Sequence, residues 1–169
     1  MGVRYRFDAE KAAEVLLYIA EEQSDVYKAL KILYFADKQH LARYGRFICG
    51  DSYVAMSHGP VPSGAYDLIK YARGDGFHWF DMPIEKAFSV QQDRIIPHRK
   101  ANRDLLSESD MQCLDAAIKQ YGHLSFSELR RLSHDEAFKN ADLNDFISLE
   151  AIAQTLPDSE SLLEYLRDN

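Results

Sequence analysis

The sequence predicts an α+β fold, a predominantly α-helical single domain with a small antiparallel sheet inserted in its middle. Three observations lead there. Apolar residues recur at helical spacing up to Gly45, serine caps recur through the last third, and the stretch between alternates like strand with Gly, Pro and Asp as punctuation. A chain of 169 residues, 46% hydrophobic and 28% charged, is long enough to bury a core of its own. No repeat, low-complexity tract or long linker divides it, so residues 1–169 read as one domain.

The elements follow in order. Asp8 caps a first helix whose Ala12, Val15, Leu16 and Ile19 share a face, ending near Glu22. Ser24 or Asp25 caps a second, VYKALKILYFADKQHLARYG, closed by Gly45 with Arg43 near its negative end. Between Ala29 and Ala36 the sole charge is Lys31, so this helix is expected to be buried on most sides at the centre of the core. Gly50-Asp51 reads as a turn. The stretch YVAMSHGPVP then starts as a strand, and Gly59-Pro60-Val61-Pro62 is expected to stop the pairing and leave a rigid loop. Helical spacing returns from Ser63 to Arg73 and ends at Gly74-Asp75-Gly76. AFSVQQDRIIPHR reads as a hairpin, Ala87 to Val90 and Arg94 to Pro97 around a turn at Gln91 to Asp93. Ser107, Ser125 and Ser133 each stand three residues before an acid and are expected to cap helices; Ser148 and Asp158 open two more, with Pro157 between them.

Charge is unevenly spread. The net charge is −7, and residues 141–169 carry Asp142, Asp145, Glu150, Asp158, Glu160, Glu164 and Asp168 against Arg167 alone. Such an end repels phosphate backbones and either solvates the chain or meets a basic protein partner. No apolar run is long enough to span a membrane. The beginning, MGVRYRFDAEK, has no signal-peptide core, and Arg6 stands where a myristoylation signal wants Ser or Thr. Cys49 and Cys113 read as reduced thiols. The expectation is a cytoplasmic protein without a membrane partner.

Little in the sequence carries catalysis. The histidines at 40, 58, 78, 98, 123 and 134 are scattered without metal-ligand spacing, and His134-Asp135-Glu136 would point its side chains apart on a helix. Gly74-Asp75-Gly76 follows a helix and lacks a third glycine, so it is no dinucleotide fingerprint; P-loop and nucleophile-elbow patterns are absent. No metal or cofactor is expected. The basic groups His98-Arg99-Lys100 with Arg103, and Arg130-Arg131, lack interleaved aromatics, which argues against direct nucleic-acid binding. Asp37 lies on the most apolar helix with His40 three residues on. The pair reads either as the acid and base of a small hydrolase or, with Asp51, as structural polar anchors tying down backbone N–H groups.

KILYFAD (31–37), RYGRFICGDSYVAMSHGPVPSGAYDL (43–68) and the segment from LSESD to LRRLSHDEAF (106–138) together resemble the Panacea antitoxin domain, the SocA-like family, over roughly residues 10–165. The block GDSYVAMSHGPVP is the specific part. The resemblance implies a phage- or mobile-element-associated antitoxin, without catalytic residues, that neutralises a cognate toxin by direct protein–protein contact. One branch of the family implies a different end, delivery of the toxin to a AAA+ protease. A loop held by two prolines loses little entropy on docking, so His58, Gly59, Pro60, Val61, Pro62 and Tyr66 are the expected partner-binding residues. The rival expectation is that Val61 plugs the core.

Overall fold

Two aspartates start the helices at the centre of the molecule. In the computed structural model, which describes residues 6–76 and 81–169, the Asp8 carboxylate accepts from Lys11 N–H and opens α1 (Ala9–Ala20). Asp25 accepts from Lys28 N–H and opens α2 (Val26–Tyr44), which Gly45 closes at φ +76°. The first residues, MGVRY, and His78 lie outside the described residues. Next come β1 (Tyr53–Met56), β2 (Gly59–Pro62), α3 (Ser63–Arg73) and a short α4 (Ile84–Ala87). The hairpin of β3 (Phe88–Gln91) and β4 (Arg94–Pro97) turns on Gln92 and Asp93, both at positive φ, one residue tighter than expected. Both α5 (Glu108–Tyr121) and α6 (Phe126–Ser133) begin in full capping boxes, Ser107 with Asp110 and Ser125 with Glu128. The chain ends through α7 (Glu136–Lys139), β5 (Phe146–Ile147), α8 (Leu149–Ala153) and α9 (Ser159–Asp168).

The fold is α+β and mostly helical, as expected, but its β-structure falls into two separate sheets, β2-β1-β5 and β3-β4. α2 explains its own composition. Its Leu30, Ile32 and Leu33 join a core shared with α1, α3, α5 and the β3–β4 hairpin, while Tyr34 and Leu41 join a second core under β1, β5, α8 and α9. A helix between two cores has almost no face left for charge.

Three expectations need correction. Gly59-Pro60-Val61-Pro62 does not stop the pairing; it is β2, in antiparallel register with β1 from Met56↔Gly59 to Tyr53↔Pro62. The phase of the ladder permits this. Ser63 N–H donates to Ser52 O at 2.8 Å, and Ala55 N–H turns the other way, to Asp145 O at 2.9 Å. Pro60, opposite Ala55, and Pro62, two residues on, therefore direct their missing N–H groups away from β1. That outer edge of β2 is packed against α2 and α6, where a donor would be buried without an acceptor strand.

The second correction is at Ser133, which caps nothing. It ends α6, buried, with its hydroxyl on Arg130 O at 3.1 Å, and Asp135 is the cap of α7 through Phe138 N–H. The third is the placing of the sheet in the middle of the chain: β5, two residues from the acidic end, completes the sheet on β1 and carries no strand signal of its own.

Candidate partner-binding pocket

The turn Ser57-His58 of the β1–β2 hairpin, the first turns of α2 and α3, and Phe126 at the start of α6 enclose a pocket of about 440 Å³. Three of the six expected partner-binding residues line it. His58 is exposed, with its ring edge-on to Phe126 at 5.8 Å; Phe126 stands edge-on to Tyr27 at 6.4 Å. Val61 is half-buried, one side on the main core and the other in the pocket wall, so it combines the outward and inward placements. Tyr66 is half-buried beneath two cations, with Lys70 Nζ 5.1 Å and the Arg73 guanidinium 5.8 Å from its ring. The structure places Gly59, Pro60 and Pro62 elsewhere, buried behind the wall as its frame.

Lys31 lies in the same lining, 3% exposed, its Nζ donating to Pro60 O at 3.0 Å. Pro60 O belongs to the outward edge of β2, so Lys31 supplies the donor that no neighbouring strand provides. Burial pushes the ammonium down to about 8, and the nearby Arg130 charge pushes the same way. Gly59 makes the approach possible. It sits at φ +120°, and a Cβ there would stand 2.7 Å from Lys31 Nζ and 2.9 Å from Ser133 Oγ. In the sequence Lys31 stands out just as a lone charge on an apolar helix. That mismatch is the signal the sequence offers.

The polar residues behind the pocket hold its frame. Asp37 is fully buried; its Oδ1 accepts from Ile48 N–H at 2.7 Å and its Oδ2 from Tyr53 OH at 2.6 Å. Burial raises its carboxyl to about 7 against those two donors. Asp51 accepts from Gly64 and Ala65 N–H at 2.8 and 2.9 Å and from Ser52 N–H at 2.8 Å. It thereby caps α3 from a distance, where the N-cap position is Pro62 without a capping side chain. Burial raises Asp51 to about 6. His40 is engaged elsewhere: its Nδ1 meets Arg46 O at 2.9 Å, and its Nε2 meets Ser109 Oγ at 2.8 Å and Asp110 Oδ1 at 3.3 Å. The partners of Asp37 and His40 are thus different groups, and neither residue lines the pocket.

Other expected features are structural. Arg99 is held bidentate on the buried Glu14 at 2.7 and 2.9 Å, and Arg130 donates to Ser57 O at 3.3 Å. Cys49 and Cys113 are free and buried. Among the described residues no cluster of three or more His, Cys, Asp or Glu side chains is placed to hold a metal, and no helix is long and apolar enough to cross a membrane.

The family model described as antitoxin SocA-like, Panacea domain, matches residues 30–139. The chain belongs to this family. The matched span contains most of α2, the β1–β2 hairpin, α3 and α6, and hence nearly all of the pocket. It is narrower than the span of the sequence resemblance: α1 and the acidic residues 141–169 lie outside it. Neither the curated proteins nor the solved structures gave a match.

Proposed function

We propose that this protein is an antitoxin that neutralises a toxin protein by direct contact, with the β1–β2 hairpin and its pocket as the docking surface. One observation carries the reading. Within the span matched to an antitoxin family, His58, Val61 and Tyr66 come together around one largely apolar pocket, on a frame anchored by Asp51, Lys31 and two prolines. A wall fixed in this way needs little reorganisation when a partner docks. Apolar and aromatic side chains at the centre of such a surface are the usual anchors of protein recognition.

The test is co-expression with the product of the reading frame beside the gene. The reading expects that product to arrest growth alone, to be silenced by this protein, and to co-purify with it. His58→Glu, an exposed change, and Val61→Asp should each abolish silencing. His58→Glu should leave the melting temperature within about 2 °C, as surface substitutions change stability by roughly 0.5 kcal/mol at most. Silencing that survives both variants would move the docking surface elsewhere. Toxin that disappears only with ATP present would instead mark delivery to a protease.

A further inference from the structure

Lys31 carries more charge than its structural duty needs. Its hydrogen bond to Pro60 O could come from any neutral donor, and such a bond contributes roughly 0.5–1.5 kcal/mol net. Burying an ammonium costs several kcal/mol unless an anion meets it. Among the described residues no carboxylate pairs with it, and the charge that bears on it is a second cation, Arg130. Nearby groups do not help. Asp25, the carboxylate of the pocket lining, accepts from Lys28 N–H, and His134, which burial, Arg130 and Lys31 push towards the neutral form, has a buried Nε2 with no hydrogen-bond partner. Lys70 and Arg73, over the Tyr66 ring, are already paired, Lys70 with Asp67 at 3.2 Å and Arg73 with Asp75 at 2.9 Å, so Lys31 is the cation of the lining left without a carboxylate. An apolar pocket with a cationic floor thus sits in a protein of net charge −7.

We propose that the pocket receives an acidic side chain of the partner protein, its carboxylate pairing with Lys31 Nζ while an aromatic or aliphatic neighbour rests on Tyr27, Met56, Val61 and Phe126. That the occupant is a protein rests on the antitoxin reading; that it is a carboxylate rests on the charge balance of the pocket. Charge complementarity of this kind decides between partners, because an amide of the same shape leaves the ammonium unpaired.

The probe is 3-phenylpropionate against 3-phenylpropionamide, titrated into the full chain while the methyl resonances of Met56 and Val61 are followed. The acid should bind about ten-fold or more tighter than the amide. Lys31→Gln, which removes the charge and keeps a shorter N–H donor, should erase that preference in a chain that still unfolds cooperatively. The toxin from the co-expression test should displace the probe. Equal binding of acid and amide, binding that leaves both methyl groups unmoved, or a preference that survives Lys31→Gln overturns the proposal. So does a complex that holds toxin and probe together. The antitoxin reading fails separately, if no neighbouring product is silenced. An acid preference in that case would assign the pocket to a small carboxylate and end the protein half of the proposal.

Discussion

Asp37 shows what one buried carboxyl does to the whole protein's response to pH. Its value in the fold, about 7, lies above its ordinary 3.8, with burial as the chief cause. The folded state therefore holds a proton that the unfolded chain releases. The resulting stability is complete below about pH 4 and is lost as pH rises through 7. Asp51 acts in the same direction up to about 6. Glu14 and Asp110 act oppositely: burial works to raise both, but Arg99 on the one and Lys11 on the other outweigh it and hold them low. The comparison of wild type with Asp37→Asn isolates the Asp37 share. The amide can still accept from Ile48 N–H and face Tyr53 OH, so the variant should gain on wild type by about 4 kcal/mol between pH 4 and pH 8. Denaturation midpoints that differ by a constant amount across that range would show that Asp37 keeps its charge in the fold. Gly59 is the second sensitive position. Gly59→Ala meets both a disfavoured φ and the Lys31 ammonium, so a loss of about 1–3 kcal/mol is expected; a melting temperature within a degree of wild type would mean that the hairpin shifts freely.

At the scale of elements, β2 departs furthest from what its residues suggest. Two prolines and a glycine in four residues read as the end of a strand, because the pattern gives no phase for the ladder. The phase comes from Ser52, Asp145 and the α2 surface, all distant in sequence. Once it is set, proline suits the buried edge because it has no N–H to strand there. Pro60→Ala should then cost about 1–3 kcal/mol, the penalty of a buried unpaired donor, instead of the few tenths expected of a loop. Chemical denaturation decides it, and a loss below about 0.5 kcal/mol would place that edge in contact with water. What was legible before the structure follows the same division. Helices with their own caps, at Asp8, Asp25, Ser107, Ser125 and Ser148, announce themselves because the capping bond spans three residues. Ser133 misled because Asp135, two residues on, offers the stronger acceptor. β5 was invisible, since two residues cannot show a period. Of the site, the hairpin block was legible from its residues, whereas Lys31 and Phe126 reach the pocket through helix packing that no local pattern encodes.

Taken whole, the molecule combines an unpaired cation in the pocket lining with an acidic end. The pocket is floored by Lys31 with Arg130 beside it, while the chain beyond residue 140 is acidic and exposes Leu143 and Phe146 among Asp142 and Asp145. A toxin that is basic overall yet inserts one acidic side chain would satisfy both. The two surfaces act at different stages of binding. Exposed charges steer the approach over about 8–10 Å at physiological ionic strength, and salt screens them; a desolvated pair forms late and holds the complex together. Association measured by stopped flow should therefore slow as salt rises. Neutralising Asp142, Asp145 and Glu160 together should flatten that dependence while changing dissociation by less than about three-fold. Lys31→Gln should do the reverse, speeding dissociation about ten-fold or more with little effect on the salt slope. On-rates that stay level from low to high salt in the wild type would reduce the acidic end to a solvated face. Docking would then rest on the pocket, whose contribution is read in the off-rate.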